Sequence, residues 1–124
     1  LLSQYPKFVA VYNNLAYLYA DQKINLKRAL VLAQKANELS PNSAAIFDTL
    51  GWTYYQMKQY NTAVLNLEKA YNLISDNPMI LYHLGMAYYK KGENNKAVAK
   101  LNQVLKLQPD FPEAKLIKEI INKK

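Results

Sequence analysis

The sequence predicts an all-α fold, an array of antiparallel helix pairs stacked one upon another. Self-similarity is the first observation. Leu50, Gly51, Tyr54 and Tyr55 recur 34 residues later as Leu84, Gly85, Tyr88 and Tyr89. The same shift carries Phe47 onto Leu81, Ala63 onto Ala97 and Leu67 onto Leu101. A fixed period of that size marks a stacked repeat. Spacing is the second: Tyr12, Leu15, Ala16 and Tyr19 fall at i, i+3, i+4 and i+7, one face of a helix. The third is punctuation. Pro6, Pro41 and Pro109 stand three residues before Val9, Ala44 and Pro112, and proline cannot continue a helix.

The first helix is expected over residues 9–20, with polar Asp21 to Asn25 as its turn. Its core residues match those of the next repeat at a shift of 35, whereas Ala29, Ala33, Ala36 and Leu39 match at 34. The first repeat therefore carries one extra residue in its inner turn, where insertions are tolerated best. The second helix is expected over 26–39, ended by Pro41-Asn42-Ser43. Ser43 or Asn42 can cap a third helix over 44–57. Its partner follows over 60–74. Asn77 is positioned as the next cap, with Pro78 at the first helical position, where a missing N–H costs nothing. The fifth helix then runs to residue 90. Gly92 supplies the left-handed residue that helix C-termini favour, and Lys58 holds the equivalent place one repeat earlier. The sixth helix covers 94–107. A seventh, over 112–122, has Lys115 and Lys118 where the middle repeat has Phe47 and Leu50, as suits a solvating terminal cap.

The expected organisation is a tail of a preceding repeat at 1–8, repeats at 9–43, 44–77 and 78–111, and a capping helix at 112–124. The chain opens mid-pattern without an initiator Met, so it is expected to be a fragment or a processed form with a native C-terminus. Any targeting segment would lie upstream, and compartment is not readable. About half of the residues are apolar and a fifth are charged, which excludes a disordered chain. There is no Cys, so neither disulfides nor thiolate metal sites are available. The net charge of +7 is uneven: residues 1–89 contribute +2 and residues 90–124 contribute +5.

The repeat resembles the tetratricopeptide repeat (TPR) family, whose 34-residue pattern runs aromatic, Leu-Gly, Tyr, Ala, apolar, Ala, Pro. The middle repeat supplies Phe47, Leu50, Gly51, Tyr54, Ala63, Leu67 and Ala70. The third supplies Leu81, Leu84, Gly85, Tyr88, Ala97, Leu101 and Pro109. The first supplies Tyr12, Leu15, Ala16, Tyr19, Ala29, Ala33, Ala36 and Pro41. Departures are Ala16 for Gly, Ser75 for Pro and Val104 for Ala. The resemblance implies a right-handed superhelical solenoid whose first helices line a concave groove. Residues 13–20, 48–52 and 82–92 are also similar in wording to bacterial TPR proteins of export and assembly systems.

By the same resemblance, groove residues are first-helix positions outside the core motif: Asn13 and Tyr17; Asp48, Trp52 and Tyr55; Tyr82, Met86 and Tyr89, with His83 beside them. The triplets 48/52/55 and 82/86/89 share one i, i+4, i+7 spacing and form a second stripe. A helix apolar on two faces is either fully buried or binds something. An aromatic stripe suits peptide recognition, because Tyr and Trp are large, rigid and polar-tipped. The competing reading is that Tyr55, Tyr89 and Trp52 pack against neighbouring repeats. Asp48 can pair with Tyr82 or His83 across adjacent helices, or with a basic group of a ligand.

The family's carboxylate clamp, which grips a chaperone C-terminus, needs Lys, Asn and Arg. The clamp positions here hold Asn13, Tyr17, Thr49, Met79 and His83. The cations are missing, so the expected partner is an apolar or aromatic protein segment and not a chaperone carboxylate. An enzyme is not expected: there is one His, and no phosphate loop, HExxH or metal-ligand cluster. No cofactor or metal is expected. RNA binding is one alternative, using Lys and Tyr for phosphates and stacking. Against it, the Lys residues fall on second helices and the cap, away from the aromatic stripe. The other alternative is self-association through the N-terminal repeat face at 1–8.

Overall fold

The computed structural model describes residues 6–123, with Pro6 and Lys7 described by backbone alone. Among them are seven helices and no strand: α1 (Pro6–Gln22), α2 (Leu26–Leu39), α3 (Ala44–Gln56), α4 (Tyr60–Leu73), α5 (Pro78–Lys91), α6 (Asn94–Leu107) and α7 (Ala114–Ile121). They pack as antiparallel pairs, α1 with α2, α3 with α4 and α5 with α6. First helices of successive pairs also touch, α1 to α3 and α3 to α5. The tail expected at 1–8 lies mostly outside the described residues, and Pro6 to Phe8 of it already belong to α1.

The caps follow from the sequence. Ser43 Oγ accepts from the Ile46 N–H at 3.3 Å, and Asn77 Oδ1 accepts from the N–H groups of Met79 and Ile80 at 2.9 and 3.1 Å. Each inner turn closes in the same way. Lys23, Lys58 and Gly92 all have positive φ, at 60°, 65° and 93°. The next amide bonds back to the carbonyl five residues earlier: Ile24 to Tyr19, Gln59 to Tyr54 and Glu93 to Tyr88. The extra residue of the first repeat falls just after this motif. Asn25 takes a second left-handed conformation there, at φ 48°, which Asn tolerates better than most residues. α7 starts two residues later than the sequence suggests. Pro109 and Pro112 bracket a turned connection, pinned by the buried Phe111 ring, before the helix can begin at Ala114.

No pair buries its apolar face alone. Ala16, Leu32, Ala33 and Ala36 of the first pair share a cluster with Ile46 and Leu50 of the second. Ala63, Val64 and Leu67 share one with Leu84, Tyr88 and Ala97 of the third. Stacking therefore supplies the core. At each crossing within a pair, one residue must be small. A Cβ added to Gly85 would meet Leu101 Cδ2 and Cγ at 2.7 and 2.8 Å, and one added to Gly51 would meet Leu67 Cδ2 at 2.8 Å. The first pair reaches the same close approach with Ala16 and Ala33, both fully buried, where the later pairs use Gly and Leu. Small and large residues are exchanged across the crossing.

Candidate functional site

The first-helix face divides into a filled half and an open half. The filled half is built from Trp52 of α3 and Tyr82 and Met86 of α5. Trp52, Tyr82 and Met86 lie in one cluster with Phe111, Ile117 and Ile120, so α7 and its connection cover them. Trp52 retains only 6% of its surface, and its indole N–H donates to Asp21 Oδ1 at 3.1 Å. Tyr55 stacks on it with ring centroids 4.4 Å apart, and the His83 ring stacks at 4.0 Å. Tyr82 packs on Phe111 at 5.2 Å. Tyr55 and Tyr89 are half-buried and pack against two clusters at once.

His83, 1% exposed, holds the two halves together. Its Nδ1–H donates to Asp48 Oδ1 at 2.7 Å, across from α5 to α3. Of the two partners the sequence offers for Asp48, the structure selects His83. Asp21, Trp52, His83 and Asp48 thus form a continuous chain of carboxylate, indole, imidazole and carboxylate. The indole N–H and the imidazole Nδ1–H each meet a carboxylate, as buried polar groups require.

The open half lies among α1, α3 and the start of α5. It is a cavity of about 620 Å³ lined by Asn13, Tyr17, Leu18, Asp48, Thr49, Ile74 and Met79, among others. A second cavity of about 440 Å³ continues it towards the turn between α2 and α3 and shares Asn13, Asn14 and Ala45. Leu18, Ile74 and Met79 are exposed there at 50%, 43% and 38%. The Tyr17 hydroxyl reaches over to Met79 Sδ at 3.7 Å. Burial, and after it the nearby carboxylates of Asp21, Asp48 and Glu113, push the Tyr17 phenol well above the ordinary tyrosine range. Burial also raises Tyr82, and pushes Tyr55 up to about 12. The Asn13 side-chain oxygen is buried with no hydrogen-bond partner.

Of the nine sequence-predicted residues, Asn13, Tyr17 and Asp48 line the open cavity. Trp52, Tyr82, His83 and Met86 are buried, and Tyr55 and Tyr89 pack on them. Sequence reasoning missed Leu18, Ile74 and Ile80 as lining residues. Thr49 and Met79 were visible as clamp positions but were read only for missing charge. Among the described residues, no group of His, Asp and Glu could hold a metal ion, and no helix is long and apolar enough to cross a membrane.

A solenoid of antiparallel helix pairs with small residues at each crossing is a helical-repeat protein of the tetratricopeptide type. Residues 7–124 match the family described as tetratricopeptide repeat protein 21 C-terminal ARM domain, and the chain belongs to that family. No curated protein matches the chain significantly. Many solved structures are similar to it. The TPR domain of Arabidopsis OM64 superposes with a TM-score of 0.83 at 17% identity, covering 95% of this chain and 97% of that one. The second TPR domain of human RPAP3, in complex with the HSP70 peptide SGPTIEEVD, gives 0.79 at 19% identity, covering 96% and 99%. The Yersinia enterocolitica type III secretion translocator chaperone SycD gives 0.79 at 20% identity, covering 94% and 90%. At these identities the likeness shows the fold.

Proposed function

We propose that the chain is a non-catalytic interaction scaffold that holds an extended segment of a partner protein in the open half of its first-helix face. The observation that carries this reading is the 620 Å³ cavity, where exposed Leu18, Ile74 and Met79 surround the polar Tyr17, Asp48 and Thr49. Apolar walls with a few placed polar groups are the usual make-up of a binding cleft. Leu18 and Met79 are the anchors and Tyr17 the polar-tipped wall. The unpartnered Asn13 oxygen is an acceptor that a backbone N–H of the segment can satisfy after a small rotation, and such an oxygen left unpaired costs about 1–3 kcal/mol. The buried Trp52, Tyr82 and Met86 brace the helices and do not touch the segment. The fold neighbours support a peptide ligand in kind, since two TPR domains of the RPAP3 type are described as bound to HSP90 and HSP70 peptides.

The test is a peptide-library selection on the folded chain, with enriched peptides titrated by Trp52 fluorescence and repeated on the double variant Leu18→Gln/Met79→Gln. Both side chains are exposed, so the variant keeps the fold. Peptides that share an apolar or aromatic motif and lose about tenfold in affinity on the variant support the reading, because a truncated interface anchor costs more than about 1 kcal/mol. Enrichment of peptides that bind the variant as well as the parent would refute it. So would binding confined to nucleic acid with steep salt dependence.

A further inference from the structure

The open face is lined by one carboxylate, Asp48, in a positive chain. The net charge is +7, yet neither cavity on this face is lined by a Lys or Arg. Tyr17 and Tyr82 sample the local field. Beside burial, the groups acting on Tyr17 are Asp21, Asp48, Glu113 and Tyr82, and those acting on Tyr82 are Glu113, Tyr55 and Asp21. No cation is among them. Among the described residues, Lys91 and Lys96 pair with Glu93, while Asp48 is hydrogen-bonded to the His83 imidazole, which is a cation only when protonated. Asp21 and Glu113 therefore lack a cationic partner there. Asp21 spends Oδ1 on the Trp52 indole and Asp48 spends Oδ1 on His83, so each keeps a second oxygen.

The cations are placed elsewhere. Lys58, Lys90 and Lys91 line a separate cleft at the inner turns. Lys69, Lys96 and Lys100 lie over the rings of Phe47, Tyr88 and Tyr71. The polarity of the molecule thus opposes the polarity of its binding face.

Resting on the groove reading above, we propose that the segment held here carries a Lys or Arg beside its apolar anchor, and that its cation is received by Asp48 and Asp21 next to the Tyr17 hydroxyl. The apolar part occupies Leu18, Ile74 and Met79. Glu113 strengthens the field from the connection before α7. Carboxylates without a Lys or Arg partner attract one and repel an acidic segment, so the same charges select and reject. Asp48 is buried and Glu113 partly so, and such charges are screened less by salt than an exposed one such as Asp21.

The test uses three labelled peptide pools of identical length and apolar composition, with one fixed position held as Lys, Gln or Glu. Anisotropy is measured on the parent, on Leu18→Gln/Met79→Gln, and on Asp21→Asn, Asp48→Asn and Glu113→Gln. The Asn variants keep an acceptor for Trp52 and His83. The Lys pool should bind about two- to fivefold tighter than the Gln pool for each carboxylate engaged, and the Glu pool weakest, as expected for partly exposed charges. Each carboxylate variant should remove its share for the Lys pool and leave the Gln pool unchanged. Equal binding of the Lys and Gln pools, or tighter binding of the Glu pool, overturns the inference while leaving the groove reading standing. Binding of all pools that ignores Leu18→Gln/Met79→Gln, or no binding by any pool, overturns both.

Discussion

Replacing Gly85 with Ala sets two effects of known sign against each other. In an unpacked helix the change is stabilising by about 1 kcal/mol, because Ala is the better helix former. Here the new Cβ would lie 2.7 and 2.8 Å from Leu101 Cδ2 and Cγ, with the Ala97 carbonyl oxygen at 3.5 Å behind. Ordinary carbon contacts sit at about 3.5–4.0 Å, so the overlap involves two atoms of a side chain that is fully buried and has nowhere to turn. Overpacking of this kind costs about 1–3 kcal/mol, and the overlap argues for the upper part of that range. The net expectation is a loss of about 1–2 kcal/mol, or roughly 4 °C in Tm per kcal/mol for a chain of this size. The assay is urea unfolding followed by circular dichroism on the parent, Gly85→Ala, Leu101→Ala and the double variant. Leu101→Ala alone should cost about 2–5 kcal/mol. In its background Gly85→Ala should change sign and stabilise by up to about 1 kcal/mol, because the double variant recreates the Ala16 and Ala33 pairing of the first repeat. A Gly85→Ala variant as stable as the parent, or one whose cost persists when Leu101 is truncated, would refute the argument.

Lys58 adopts φ 65° at the turn where the next repeat uses Gly92. Lys58→Gly should therefore hold or raise the denaturation midpoint, with a gain of up to about 1 kcal/mol from relief of left-handed strain, read from the same urea curves. Asn77→Ala removes the acceptor for two first-turn N–H groups of α5 and should lower stability by about 1 kcal/mol, with Asn77→Ser recovering most of it. Alkaline pH should unfold the chain. Burial raises Tyr55 to about 12, and also raises Tyr17, Tyr82 and Tyr88, the last further held by its 2.6 Å hydrogen bond to Glu68. Folded phenols with raised values keep their protons longer than unfolded ones, so stability is intact below about pH 10 and is lost as pH rises beyond it. Urea midpoints and tyrosinate absorbance measured together should fall and rise in step across that window; a flat midpoint would contradict the burial of these rings.

The helices were legible because their signals are local. Asn77-Pro78, Ser43 and Gly92 act within one turn of their own positions, and the extra residue near Asn25 shows as a change of register between two matched stretches. α7 was misread by two residues because a Pro can open a helix or hold a turn. Pro78 opens α5, whereas Pro112 holds a turn because Phe111 is already committed to the core. Of the open cavity's lining, Asn13, Tyr17 and Asp48 were legible as groove positions, but the second stripe carries no mark that separates a bare aromatic from a covered one. Asp48, Trp52 and Tyr55 obey the same spacing as Tyr82, Met86 and Tyr89. What covers the later members is Phe111, Ile117 and Ile120, from a helix outside the repeat. Leu18 and Ile74 were missed because one lies off both stripes and the other in a connection.

The chain from exposed Asp21 through buried Trp52 and His83 to buried Asp48 has a consequence for how binding is felt. Trp52 lines neither cavity of the open face, yet it is hydrogen-bonded to one of the two carboxylates proposed to receive a ligand cation and stacked on the imidazole that holds the other. A cation drawn to Asp21 or Asp48 competes with those internal donors for the same charge. The indole should therefore register ligand from inside the core, without contact. Removing the imidazole would leave a 92% buried carboxylate without its partner, and an unpaired buried charge is costly. Carboxylates hold the ends of this chain and stacked rings its middle, so the proposed charge recognition and the helix packing share the same four side chains.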